Sequence, residues 1–195
     1  MKGVPAAPDK SLPVPLYPRL MGTAWAEVDE AVRQAHLDGG LLSQAGLFRV
    51  QRGTSKLARL LLAVLRLPLA AEAVTIKLVV TPLGGGERWV RSFGDRTLVT
   101  TQAAGTGGVL IERMGVVELR FRLEAAGRAL IYRQTGAALR LGPLSVPFPE
   151  WLWPRVEARE EAGGLNRTHV SVVVKVPLAG LLISYSGHLC KEDPA

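Results

Sequence analysis

Glu87, Trp89, Arg91 and Phe93 occupy alternate positions of one short segment. Leu110, Glu112 and Met114 do the same in a second, and Glu157, Arg159 and Glu161 in a third. In an extended chain every second side chain points the same way, so each set shares a face. Dispersed opposite charges of this kind commonly form a solvated outer face laced with cross-strand Arg–Glu pairs. The same spacing also suits a cavity whose apolar lining carries a few placed polar groups, as small-molecule sites usually do. On that second reading the ligand-binding candidates are Trp89, Phe93, Arg113, Tyr132 and Tyr185. An arginine facing a carboxylate in such a cavity could also do acid–base work. Which faces turn inward depends on strand register and stays open at this point.

Other signals for chemistry fall away. The three histidines, His36, His169 and His188, are scattered. His169 and His188 could meet on neighbouring strands, but two imidazoles do not make a metal site. Cys190 is the one cysteine, so it forms neither an internal disulfide nor a thiolate metal centre. Gly84-Gly85-Gly86 precedes Glu-Arg-Trp and a strand, where a phosphate loop needs Gly-Lys-Ser/Thr opening a helix. It reads as a hairpin turn, and Gly105-Thr106-Gly107-Gly108, with no helix after it, fails a dinucleotide reading likewise. No Gly-x-Ser-x-Gly elbow occurs. The residues call for no cofactor and no metal, and no catalytic residue is assigned.

The chain has 195 residues, 48% of them hydrophobic and 21% charged, with a formal net charge of +7. That length suits one domain able to bury its own core. The positive charge is mostly arginine spread among glutamates, without the Lys/Arg run of a phosphate-tracking surface, which argues against a nucleic-acid partner. No apolar stretch is long and uncharged enough to span a bilayer, because Arg59 and Arg66 interrupt the longest one. Prolines interrupt the N-terminus where a signal peptide would be apolar, so the expected compartment is the cytoplasm.

The elements expected to position these residues begin after a Pro-rich lead-in, 1–15. Residues 16–190 read as a single α+β domain and 191–195 as a tail. Trp25, Val28, Val32 and His36 form one helical stripe, with Thr23 as the expected N-cap and Gly39-Gly40 as the stop. Leu47 to Arg52 reads as a short strand. Thr54 then caps a second, very apolar helix ended by Pro68. Beyond it the period changes to two, and tight glycine turns divide a meander, with Val170, Val172, Val174 and Val176 its clearest strand. Residues 142–154, with four prolines and two tryptophans, read as an ordered rim. The expected fold is a large curved antiparallel sheet or incomplete barrel of eight or nine strands, with two helices packed on or in it. A β-sandwich is the alternative.

LYPRLMGTAWAEV, GLFRVQRGTSKLARLLLAVLRLP, GGGERWVRSFGDR, GGVLIERMGVVELRFRLE and VPLAGLLISYSGHL, taken in this order, resemble an uncharacterised bacterial family, the domain of unknown function 4166. The likeness runs from about Leu16 to Leu189. It carries no established activity and no catalytic residue to transfer. Members of that family are sometimes joined to, or found beside, NAD(P)-binding reductase-like domains, which implies a reductase-type protein partner. From the residues themselves, the leading expectation is a non-catalytic module binding a hydrophobic or lipid-like small molecule. An interaction domain, or an enzyme with an Arg/Glu/Tyr-lined cavity, is the alternative.

Overall fold

The computed structural model describes residues 15–37, 42–164 and 167–192. Most of the Pro-rich lead-in, the Gly39-Gly40 stop and the last residues of the tail lie outside them. The N-terminal segment is two short helices, α1 (Leu16–Met21) and α2 (Glu30–Leu37), joined by a 3-10 turn over Gly22–Glu27. Thr23 lies inside that turn and caps nothing. Asp29 instead accepts the Ala31 amide at 3.0 Å, one of the donors a helix start leaves unpaired. A third helix, α3 (Lys56–Val64), is capped by Ser55, one residue beyond Thr54. The Ser55 hydroxyl accepts from the Ala58 amide at 3.1 Å and donates to the Ala179 carbonyl at 2.8 Å.

The remainder is antiparallel strand: β1 (Leu42–Arg52), β2 (Ala71–Leu83), β3 (Gly86–Phe93), β4 (Arg96–Ala104), β5 (Val109–Met114), β6 (Val117–Ala126), β7 (Ala129–Leu141), β8 (Leu144–Pro147), β9 (Arg155–Ala162), β10 (Arg167–Val176) and β11 (Gly180–Lys191). Their order is β6-β5-β4-β3-β2-β1-β11-β10-β9-β7-β8, and β6 also pairs with β7. That last pairing closes the ring. Ten strands form a barrel, and β8 stands outside it on the edge of β7.

The expected count of eight or nine strands, and the expected opening, are thus corrected. The difference in count lies in β1, which is longer than its Leu47–Arg52 core and belongs to the wall, and in β8, hidden in the Pro-rich rim. Closure rests on the short seam where Leu130, Ile131 and Tyr132 of β7 pair with Glu160, Arg159 and Ala158 of β9. Such a non-local join leaves no mark in local periodicity. Beyond Tyr132 the two strands part. There Gln134 Oε1 accepts the Val156 amide at 2.9 Å and the Phe148 amide reaches the Ala137 carbonyl at 2.9 Å, so the rim segment patches the wall.

Register decides what faces in. Trp89 pairs with Val80 and Thr100, Gln102 with Glu112, Ala158 with Val172, and Tyr185 with Val50. Alternation carries the apolar phase of the barrel strands inward, into a core that includes Phe48, Ile76, Phe93, Leu110, Phe121 and Ile183. Charged residues such as Lys77, Arg122 and Lys175 are left on the outside, where they are exposed. The N-terminal helices plug one end of the barrel. Tyr17 and Val32 there are fully buried. At the other end α3 buries Ala58 and Leu62. No helix among the described residues is long and apolar enough to cross a membrane.

Candidate functional site

Two cavities share the barrel interior. The larger, about 280 Å³, lies at the α3 end. Leu61 of α3 and Leu65 at its C-terminal cap, Leu98, Met114 and Leu119 of the wall, and Phe148 of the rim give it an apolar surface. A smaller one of about 90 Å³ lies toward the N-terminal plug and reaches His36, Gln102, Tyr132 and Glu160. Arg91, Glu112 and Tyr185 line both, and so form a polar layer between an apolar chamber and a polar one.

Arg91 is held in this layer by β3. Its guanidinium lies 4.8 Å from the centre of the Trp89 ring, two residues back on the same face. Nη1 donates to Thr100 Oγ1 at 3.0 Å and lies 3.6 Å from Glu112 Oε1. Burial would lower the Arg91 pKa, but Tyr185 and Glu112 outweigh it and raise it, so the group stays charged. Tyr185 packs its ring edge-on against Phe93, 5.5 Å between centres, and burial raises its phenol above the ordinary value.

Toward the plug most of the polar groups are satisfied by one another, and only the buried His36 Nδ1 of this network has no partner among the described residues. Tyr132 donates to Glu160 Oε1 at 2.7 Å, and His36 Nε2 lies 2.8 Å from Oε2. The Tyr17 hydroxyl lies 2.7 Å from Gln102 Oε1 and 3.0 Å from the Tyr132 oxygen. With the Tyr132 proton committed to Glu160, Tyr17 shares its own between those two acceptors. The Tyr17 ring stacks on His36, centres 3.9 Å apart. Burial alone would raise the Glu160 pKa. The attraction of His36, hydrogen bonds from His36 and Tyr132, and the Arg91 charge reverse this, so Glu160 titrates below the ordinary range. Burial and the Glu160 charge push the Tyr132 phenol far up, and burial does the same to Tyr17. Glu87 is the opposite case. Burial raises its carboxyl even though Trp89 Nε1 donates to it at 3.0 Å and the Leu16 amide also bonds it. The hydrogen bonds of Tyr17 to Gln102 and of His36 to Glu160 run from plug helix to barrel strand, so they lock the plug into the barrel.

Of the five candidate residues, Trp89 and Tyr132 line the plug-side cavity, Tyr185 lines both, and Phe93 packs in the wall behind Tyr185. Arg113 has the opposite phase. It lies on the outer face, where Nε donates to Glu118 at 2.9 Å, and it lines neither cavity. Arg120 and Arg140 flank the same buried carboxylate at 2.9 and 3.6 Å. Burial would raise Glu118, but the hydrogen bonds and charges of Arg113 and Arg120 lower it. Glu157, Arg159 and Glu161 keep the outer-face reading, with Arg159 paired to Glu161 at 2.8 Å and Lys175 to Glu157 at 3.1 Å. For Glu87, Arg91 and Glu112 that reading is corrected, since all three turn inward.

Tyr17, His36, Gln102 and Glu160 were not among the candidates, yet they complete the buried network. A signal for two of them exists in the chain. Glu160 shares the phase of Val156 and Ala158, and Gln102 that of Leu98, so each is a polar residue on the buried side of its strand. His169 and His188 do meet, directly paired across β10 and β11 with ring centres 4.9 Å apart. They lie on the outer face, and among the described residues no three His, Cys, Asp or Glu side chains are grouped as a metal ion would need.

Fold and site together define a plugged antiparallel barrel with an apolar chamber above a buried arginine. The chain belongs to the family described as domain of unknown function DUF4166, whose model matches residues 12–189. Neither a curated protein nor a solved structure matches it.

Proposed function

We propose that this protein is a cytoplasmic, non-catalytic module that binds a hydrophobic or lipid-like small molecule in the chamber beneath α3. The observation that carries the reading is the 280 Å³ apolar chamber with its few polar groups gathered at one end. Native proteins pack their interiors with few voids larger than a water molecule, so a space of this size needs an occupant or a reason. It stands near the lower end of ligand cavities, roughly 300–1,000 Å³, which favours a slender ligand over a bulky one. The plug-side network supports a non-catalytic role, because its titratable groups are spent on one another and on holding the helices. Tyr185 then lines the chamber, while Trp89 and Tyr132 line the plug-side cavity behind it.

The test is uptake of Nile red, an uncharged polarity-sensitive dye, by the whole chain, with native mass spectrometry of the protein as purified. We expect saturable uptake, lost when Leu119→Trp fills the chamber while the fold persists by circular dichroism. A clean apo mass together with absence of dye uptake by the folded protein would remove the reading.

A further inference from the structure

The polar layer has hydrogen-bonding capacity left over, and of two kinds. Among the described residues the Arg91 guanidinium makes one hydrogen bond, to Thr100, and its other donors make none. Glu112 makes none among the described residues, since its contact with Arg91 is a charge pair at 3.6 Å. The Tyr185 hydroxyl likewise makes none among the described residues. Arg91 and Glu112 are only 16% and 18% exposed, so these groups face the cavities rather than bulk water. A donor set and an acceptor therefore converge at the floor of the apolar chamber, and buried polar groups left unpaired are costly.

We propose that the ligand of this chamber is an uncharged alcohol, an apolar chain or ring whose hydroxyl accepts from Arg91 and donates to Glu112. This rests on the binding reading above. The choice between alcohol and carboxylic acid follows from charge. Arg91 and Glu112 already balance, so a neutral hydroxyl leaves the layer neutral. A fatty carboxylate would add an uncompensated negative charge beside Glu112 in a site walled by Met114, Leu119 and Phe121, and an unpaired charge is the most expensive thing to bury there. A hydroxyl also uses both capacities at once, which an ether or an alkane cannot.

The experiment is displacement of Nile red from the whole chain at pH 7 by 1-decanol, decanoate and methyl decyl ether. These have similar chains and differ at the head. We expect 1-decanol to bind about tenfold or more tightly than either, the effect of one charge-assisted hydrogen bond gained or one charge left unburied. Glu112→Gln removes the negative partner and is expected to turn the order toward decanoate, because Arg91 then stands alone. The ether comparison needs no variant, so it decides the matter even if Glu112→Gln does not fold. Tighter binding of decanoate by the unaltered protein, or equal binding of alcohol and ether, would overturn the alcohol assignment while leaving the chamber intact. Absence of dye uptake by the folded protein would overturn both.

Discussion

Tyr132 on β7 and Glu160 on β9 are joined by a 2.7 Å hydrogen bond that runs diagonally across the three-residue seam closing the barrel. The phenol is kept protonated by burial and by the negative charge it serves, and the carboxylate holds His36 of the plug with its other oxygen. One buried acid thus ties barrel closure to helix docking.

Removing half of that tie is therefore expected to be costly. Tyr132→Phe deletes a hydrogen bond to a charged group, for which about 1.5–3 kcal/mol is usual. Urea unfolding checks the value. A loss under half a kcal/mol would mean that the seam does not depend on this bond.

Acid sensitivity follows from the same carboxyl. Glu160 titrates lower in the folded chain than in the unfolded one, where a glutamate titrates near 4.3. A depressed folded value gives stability that is complete above the unfolded value and drains away as pH falls through the folded one. Glu160→Gln is expected to be less stable at neutral pH and to lose less on acidification below about pH 4.3. Unfolding free energies between pH 6 and pH 3 measure this. Parallel curves for the two proteins would place the acid sensitivity elsewhere, Glu118 being the next group to alter.

Between β1 and β11, Gly187 allows one of the close approaches in the wall. A Cβ there would strike the Leu47 carbonyl oxygen and lie 2.6 Å from Phe48 Cγ. Gly187→Ala must push β1 away from β11 or turn Phe48 out of the core, at a cost of roughly 1–3 kcal/mol. Thermal unfolding decides, and an unchanged midpoint would show that the two strands can part locally.

Helix α3 forms part of the chamber wall, and Ser55 holds both its start and its link to Ala179. Ser55→Ala is expected to cost about 1 kcal/mol, the usual loss of an N-cap. Amide exchange should rise in α3 before it rises in the strands, and uniform exchange would argue against the helix being a separate unit of opening.

The turn between β6 and β7 carries Gly127 and Arg128, both with positive φ, at 57° and 66°. Arg128 accepts that conformation while pairing with Asp29 at 2.9 Å and taking the Asp29 amide on its carbonyl oxygen at 2.8 Å. Its side chain is 74% exposed, so the ion pair contributes at most about 1 kcal/mol. Left-handed backbone costs a non-glycine residue about as much. Arg128→Gly is thus expected to be near neutral, and Arg128→Ala clearly worse, by chemical denaturation. Equal loss in both would mean the pair, not the backbone, governs the turn.

Periodicity made most of the strands legible. Val170 to Val176 is strand in the structure, as its alternation implies, and the glycine turns fall where hairpins turn. What local pattern could not carry was the sign of each face. Glu87 and Arg91 alternate in the same manner as Glu157 and Arg159, yet one pair is inside and the other outside, because register is inherited from neighbours such as β2 and β10 that are distant in the chain. Arg113 and Glu112 are adjacent residues with opposite fates for that reason. Closure was illegible on the same ground, since it rests on three pairings between β7 and β9 and on the contact of β1 with β11. Tyr17 could not be recognised as a core residue from a segment bounded by Pro15 and Pro18, because only the barrel's open end gives its ring a place to go.

The pairing of β1 with β11, Arg52 opposite Ile183 and Gln44 opposite Lys191, also sets a timetable for synthesis. A ribosome releases β1 early and β11 late, and until β11 emerges β1 has β2 on one side and a bare row of peptide groups on the other. Long-range pairings of this type are slow to form and expose strand edges while they wait. The plug helices likewise lack their Glu160 contact until β9 has emerged. This protein is therefore one whose nascent chain is expected to call for a holding chaperone.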